Sequence, residues 1–156
     1  MHGTTKLKDQ TLIETTCKNT PNYQLCISTI HASPSSAGAD VAGLGLIVVD
    51  AVRAKTEAAT SAIDKLKQLH PDMTRALEKC RDTYDAVLKA DVPEAVAALK
   101  KGIPKFAESG MADVAWEAEI CEGGFKEVGA ESPLRGVNKD LHDLAEVAVG
   151  IIRNLL

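Results

Sequence analysis

The sequence predicts an all-α protein: an up-down-up-down four-helix bundle with an N-terminal helical hairpin extension and two disulfides. Three observations predict it, namely an aliphatic composition, apolar residues at helical spacing and four cysteines. Hydrophobic residues make up 45% of the 156 residues and aromatic residues only 3%, which is typical of packed helices rather than of a β-sandwich. A chain of this length buries roughly 70% of its unfolded surface, enough for a core of its own.

Turn signals in the first part of the chain predict a short helical pair. Residues 1–10 are expected to be disordered, or to be an end left by expression or processing. A helical hairpin follows over residues 11–34, in which Thr20 can cap the second helix. The stretch from Ser33 to Gly38 is a linker by composition. Residues 35–156 then form the bundle, which makes one folded unit with the hairpin.

The first bundle helix is predicted from Asp40, which can cap its N-terminus, to about His70, where Pro71 ends it. Its apolar residues recur at intervals of three, four or seven and therefore share one face. They are Val41, Leu44, Val48, Val52, Ala59, Ile63 and Leu66.

Three further helical segments complete the bundle. One begins at about Asp72, and Asp91-Val92-Pro93-Glu94 resembles a capping box with proline in the first turn, so we predict a break or kink there and a restart through Leu99. The others run from about Pro104 to Phe125 and from about Leu134 to Leu156. Their short connections favour antiparallel neighbours.

The chain contains four cysteines: Cys17, Cys26, Cys80 and Cys121. An even number without Cys-x-x-Cys spacing fits disulfides better than a zinc site, so the chain is expected outside the reducing cytosol. If Cys80 and Cys121 pair across a helical hairpin, its tip falls between residues 100 and 101, almost at the turn signal Gly102-Ile103-Pro104. The count alone also allows the connectivity 17 to 80 with 26 to 121.

Charge and motifs exclude several classes of function. The 22 acidic and 18 basic residues give a net charge of −4 with no basic run, so we expect no nucleic-acid partner. We also expect no membrane partner, and the first residues lack the apolar run of a signal peptide, which suggests a processed or recombinant mature form. Without a Ser-His-Asp, phosphate-loop or repeated Glu-x-x-His pattern, we expect no enzyme, no metal and no cofactor.

The tip of the predicted hairpin allows two interpretations. In the structural one, Pro104 is the first residue of a helix, Phe106 packs into the end of the bundle and Lys105 is solvated. In the functional one, the three residues form a rigid, exposed probe in which a cation lies beside an aromatic ring. Such a probe suits an acidic, sugar-binding cleft.

Several segments together resemble the plant invertase and pectin methylesterase inhibitor family, from about Thr11 to Leu156. They are Thr16-Cys17-Lys18-Asn19-Thr20-Pro21-Asn22-Tyr23-Gln24-Leu25-Cys26, Ala39-Asp40-Val41, Lys101-Gly102-Ile103-Pro104-Lys105-Phe106-Ala107-Glu108, Cys121-Glu122 and Ile151-Ile152-Arg153-Asn154-Leu155-Leu156. The Pro-Lys-Phe tip resembles the invertase-inhibitor branch in particular. The resemblance implies disulfides linking Cys17 to Cys26 and Cys80 to Cys121, and no catalytic activity.

The resemblance also implies a target, a plant acid invertase (β-fructofuranosidase). Such enzymes are retaining glycosidases with two carboxyl groups close together at the sucrose site. The family pattern carries Pro104, Lys105 and Phe106 into that cleft, in competition with sucrose, and we expect Glu108 and Lys101 at the rim. The chain would act as a monomer in a 1:1 complex, secreted to the cell wall (apoplast) or located in the vacuole.

Two other functions remain open at this stage. A pectin methylesterase inhibitor has the same fold and cysteines, but the resemblance places that enzyme's contacts on helical faces rather than at the tip. A non-catalytic helical ligand-carrier or structural protein, the alternative from another class, predicts a cavity instead of an exposed tip.

Overall fold

The computed structural model describes residues 2–156, with side chains from Lys6 onward. Seven α-helices are described: α1 (His2–Lys18), α2 (Tyr23–His31), α3 (Val41–Leu69), α4 (Thr74–Ala86), α5 (Val92–Lys101), α6 (Pro104–Glu127) and α7 (Arg135–Arg153). A π-helical turn, Val87–Asp91, joins α4 to α5, and short 3-10 turns at Pro34–Ser36 and Pro71–Met73 precede α3 and α4. Within this described part, no helix is both long and apolar enough to cross a membrane.

The helices form the predicted four-helix bundle with its N-terminal hairpin. Helix α6 packs against α7 and α5, and α3 packs against α7, α4 and α5. Each bundle helix buries an apolar stripe in a common core, as the spacing predicted. Five residues of the predicted stripe of α3 are buried, namely Leu44, Val48, Val52, Ala59 and Ile63. The other two, Val41 and Leu66, are partly buried and pack against the core.

The two disulfides have the connectivity that the family resemblance implied. Cys17 pairs with Cys26 and holds α1 against α2. Cys80 of α4 pairs with Cys121 of α6, with the two Cα atoms 5.0 Å apart. The alternative connectivity, 17 to 80 with 26 to 121, is therefore wrong.

The N-terminal hairpin packs closely against the end of α7. A Cβ atom on Gly150 would lie 3.0 Å from the Thr20 Cα, so a side chain there would push the hairpin away. The Asn19 Nδ2 also donates a hydrogen bond of 2.9 Å to Asn154 Oδ1. Because Cys17 belongs to the same buried core as the bundle, the hairpin and the bundle share their hydrophobic interior.

The first ten residues include the beginning of α1, which starts at His2. The expectation that residues 1–10 are disordered or processing-derived stays a prediction. Asp9 accepts a hydrogen bond of 3.1 Å from the Gly38 N–H, and Gln10 lies 3.2 Å from His31, so this end contacts distant segments. Met1 lies outside the described residues, and the origin of this end stays a prediction.

The capping predictions had mixed success. Asp40 caps α3 as predicted, because its Oδ1 accepts from the Gly43 N–H at 2.8 Å. Thr20 does not cap α2. That role falls to Asn22, whose side chain accepts from the Leu25 N–H, while the Thr20 hydroxyl donates to the Cys17 carbonyl.

The capping box predicted at Asp91 is also wrong. Asp91 has helical dihedral angles and makes no capping hydrogen bond through its side chain. The helix passes into the π-helical turn instead of stopping, and Pro93 follows within the first turn of α5. The wider π-helical turn accommodates Pro93, which lacks an N–H group. The helix is therefore irregular where a break or kink was predicted, but the irregularity is a π-helical turn.

Candidate functional site

The α5–α6 tip, residues 101–106, is a tight reversal between two packed helices. Gly102 ends α5 in the left-handed conformation, with φ 74°, which glycine adopts without strain. The Ile103 N–H donates back to the Ala98 carbonyl at 2.9 Å, and Pro104 begins α6 directly afterwards. Two residues therefore separate the helices, and the backbone of the tip is held by helix-end hydrogen bonds and by proline.

The tip exposes its large side chains. Phe106 is 67% exposed, and Ile103 beside it is also exposed. The Lys105 side chain is 73% exposed. Pro104 is the first residue of α6, as the structural interpretation predicted, but Phe106 does not pack into the end of the bundle. An exposed phenylalanine on a rigid turn favours the functional interpretation.

Beneath the tip, one carboxylate joins two cations. Glu108 Oε1 accepts from Lys105 Nζ at 2.8 Å, and its Oε2 accepts from Arg153 Nε at 2.8 Å. The hydrogen bonds from Lys105 and Arg153 lower the pKa of Glu108 below its ordinary value, so its carboxylate stays charged in a mildly acidic compartment. The C-terminal turn of α7 is thereby tied to the first turn of α6.

The structure places the two predicted rim residues, Lys101 and Glu108, in different environments. Lys101 is exposed in the last turn of α5, next to the tip, where a rim residue could lie. Glu108 is only 8% exposed, and both of its oxygens face cations of this chain. The structure therefore places Glu108 under Lys105 rather than at a rim, because α7 covers that side of α6.

A second group of carboxyls lies further along α6, and the sequence analysis missed it. Glu117 of α6 is within hydrogen-bonding reach of Asp91 in the π-helical turn, and its Oε2 is buried without a donor from another described group. Burial, followed by the charge of Asp91, raises the pKa of Glu117 to about 8. Burial also raises the pKa of Asp91. The two carboxyls therefore share a proton at acidic pH.

The shared proton makes folding stability depend on pH. An unfolded Glu117 loses its proton near pH 4.5, whereas the folded one keeps it until about pH 8. Because the folded pKa is the higher one, the pair stabilises the fold fully below pH 4.5, and this contribution declines as the pH rises to about 8.

Glu117→Gln is expected to weaken this pH dependence, since an amide donates to Asp91 without needing a proton. At pH 8 the variant should be more stable than the native chain by about 1–2 kcal/mol, or about 2–8 °C in Tm, a figure reduced for partial solvent screening. Thermal unfolding from pH 4.5 to pH 8 measures it, with the exposed Asp82→Asn, which lies outside this group of carboxyls, as control. An unchanged slope in Glu117→Gln would contradict the shared proton.

The surface of the described residues bears on the ligand-carrier alternative, which predicts a cavity. Among the described residues, no group of three or more histidine, cysteine, aspartate or glutamate side chains is arranged to hold a metal ion. A concavity of about 750 Å³ lies between α2, the Pro34–Ser36 turn and α3, but it is an open groove lined mainly by small residues. A ligand carrier needs an enclosed, mainly apolar pocket instead.

Comparison with known proteins decides the family. A sequence profile of the plant invertase/pectin methylesterase inhibitor family matches residues 11–151. The chain belongs to this family. As a member of this inhibitor family, the protein is non-catalytic, as the sequence predicted.

Individual relatives of this inhibitor-family protein are also named as inhibitors. It is 37% identical over 145 residues to the "cell wall / vacuolar inhibitor of fructosidase 1" of Arabidopsis thaliana, covering 93% of this chain and 69% of that one. It is 29% identical to a "putative invertase inhibitor" of Platanus orientalis, covering 92% and 89%. The name of the first relative places it in the cell wall or vacuole, the two locations expected here.

The fold is also that of a solved family member. A mutant form of a pectin methylesterase inhibitor from Arabidopsis superposes with a TM-score of 0.73, covering 88% of this chain and 92% of that one. The two sequences are 18% identical, so this likeness concerns the helical architecture alone.

Proposed function

We propose that this protein inhibits a plant acid invertase by inserting the Pro104-Lys105-Phe106 tip into the sucrose-binding cleft. The observation that carries the proposal is the exposure of Lys105 and Phe106 on a reversal whose backbone is already fixed. A rigid tip loses little conformational entropy on binding, so more of the contact energy appears as affinity. The 37% identity to a named fructosidase inhibitor supports invertase as the target class.

Lys105 is suited to the chemistry of such a cleft. Retaining glycosidases hold two carboxyl groups about 5–5.5 Å apart at the scissile bond, and an ammonium group can hydrogen-bond to such a pair. On insertion, Lys105 Nζ exchanges its hydrogen bond with Glu108 for bonds to the enzyme. Glu108 keeps its hydrogen bond from Arg153, so the exchange leaves no unpaired buried charge.

Phe106 supplies the apolar part of the contact, and Pro104 limits the conformations of the turn. Because Phe106 is 67% exposed in the free protein, it gains most of the hydrophobic contribution of its ring when an enzyme buries it. Lys101 lies at the rim of this contact, and Glu108 holds Lys105 in place in the free protein. The inhibitor acts as a monomer in a 1:1 complex, because one tip fills one cleft.

The direct test is inhibition of sucrose hydrolysis by purified acid cell-wall and vacuolar invertases. We expect inhibition that is overcome by raising the sucrose concentration, since tip and substrate occupy the same site. Absence of inhibition, or inhibition insensitive to sucrose, would contradict the proposal. A parallel pectin demethylation assay tests the second candidate, pectin methylesterase inhibition, which the name of the matched family includes beside invertase inhibition.

A further inference from the structure

The tip is too small to account for a stable complex by itself. Stable protein interfaces bury about 800 Å² on each partner and involve roughly 20–30 residues a side. The α5–α6 tip has six residues. If the proposed insertion occurs, neighbouring surface must therefore also contact the enzyme, and the surface that continues from Phe106 without interruption is the outer face of α6.

The outer face of α6 carries exposed apolar side chains in line with Phe106. We define this face by Phe106, Ser109, Asp113, Trp116 and Ile120, which are spaced by three or four residues and therefore lie on one side of the helix. Trp116 is 62% exposed and Ile120 is 39% exposed. At 1.5 Å per residue, they lie about 15 Å and 21 Å along the axis from Phe106.

Single exposed apolar residues are ordinary, but their grouping here is not. Eight large apolar side chains are exposed among the residues whose side chains the structure describes. Three of them, Phe106, Trp116 and Ile120, lie on this one face, and Ile103 adjoins it at the tip. Large apolar side chains aligned on one exposed face favour an interaction site, and tryptophan is enriched among the residues that dominate binding energy.

The polar residues on and beside this face indicate the chemistry of what it meets. Asp113 and Glu119 are exposed on either side of Trp116 along the helix. A lysine or arginine of the partner can stack on the Trp116 ring while pairing with one of these carboxylates. The face therefore suits an apolar surface that bears a cation.

We propose that the outer face of α6 is a second contact surface, on which Trp116 and Ile120 pack against the wall of the invertase cleft that receives the tip. This inference rests on the proposed function. The tip provides competition with sucrose, whereas the α6 face provides area, slows dissociation and contributes to the choice among invertases.

Truncation of the face tests the inference. Trp116→Ala is expected to raise the inhibition constant for acid invertase by roughly 10- to 100-fold, mainly through faster dissociation, and Ile120→Ala by roughly 3- to 10-fold. Leu69→Ala is the matched control, since Leu69 is 72% exposed at the opposite end of the bundle. Because all three side chains are exposed, the variants should unfold at nearly the native temperature.

The outcomes separate this inference from the proposed function. If Lys105→Met loses inhibition but Trp116→Ala inhibits like the native chain, the α6 face is not a contact and only this inference fails. If the native chain does not inhibit invertase, both fail. The inference is also overturned if Trp116→Ala changes only the self-association measured by sedimentation, or only the inhibition of pectin methylesterase.

A spectroscopic measurement gives an independent answer, because Trp116 is the only tryptophan of the chain. The inhibitor labelled with 5-fluorotryptophan should give one fluorine resonance. In a saturated complex with unlabelled invertase, we expect this resonance to shift and to lose its sensitivity to solvent. A resonance that keeps its free position and solvent sensitivity in the saturated complex would overturn the inference.

Discussion

Phe106→Ala is expected to weaken inhibition of acid invertase by roughly 30- to 700-fold, which corresponds to about 2–4 kcal/mol of binding free energy. The physical reason is that the exposed ring becomes buried at the centre of the proposed contact, where truncation leaves a void in a desolvated pocket. The same ring contributes little to folding, because it is 67% exposed in the free protein. Inhibition kinetics and thermal unfolding of the same samples measure both effects.

Companion variants at Lys105 separate charge from shape. Lys105→Met keeps the aliphatic stem but removes the ammonium, and we expect a loss of about 2–3 kcal/mol in binding. Lys105→Arg keeps the charge in a larger, planar group and should be intermediate. Leu69→Ala, on the far end of the bundle, should inhibit like the native chain. Native-like inhibition by both Phe106→Ala and Lys105→Met would exclude the tip as the inhibitory element.

Removal of the Cys80–Cys121 disulfide, as Cys80→Ala with Cys121→Ala, is expected to lower the free energy of unfolding by about 4 kcal/mol. The bond closes a loop with a sequence separation of 41, and a longer closed loop restricts the unfolded chain more. Removal of Cys17–Cys26, with a separation of 9, should cost only about 2–3 kcal/mol. Urea unfolding of the two double variants, compared with the native chain, measures both values.

The long-range disulfide should affect inhibition far less than stability. Cys80 is about 20 residues from the tip along a helical path, or roughly 30 Å, and the packing of α5 against α6 lies between them. We therefore expect the inhibition constant of the folded double variant to stay within about three-fold of the native value. If removal of either disulfide lowered the free energy of unfolding by the same amount, the loop-closure argument would be contradicted. If a fully folded variant without Cys80–Cys121 lost its affinity for invertase, the disulfide and the tip would be directly coupled.

Sequence reasoning succeeded where the information is local. The Asp40 cap, Pro71 after α3, the apolar stripe of α3 and the Gly102 turn each depend on residues within a few positions of one another. Short-range hydrogen bonding and helical periodicity determine such features, so they can be recognised without a partner segment. The errors at Thr20 and Asp91 arose where the local pattern allowed two arrangements and packing selected one.

The sequence by itself determined the helical class, the four-helix topology, the family and the position of the candidate tip. The tertiary structure alone decided that Phe106 and Trp116 are exposed, that Glu108 lies beneath Lys105 beside Arg153, and that Asp91 meets Glu117. Each of these depends on how helices distant in the chain pack together, which no spacing in the sequence encodes. Exposure and proximity depend on how the core is assembled. They determine whether the Pro104-Lys105-Phe106 tip is an exposed probe or is packed into the end of the bundle.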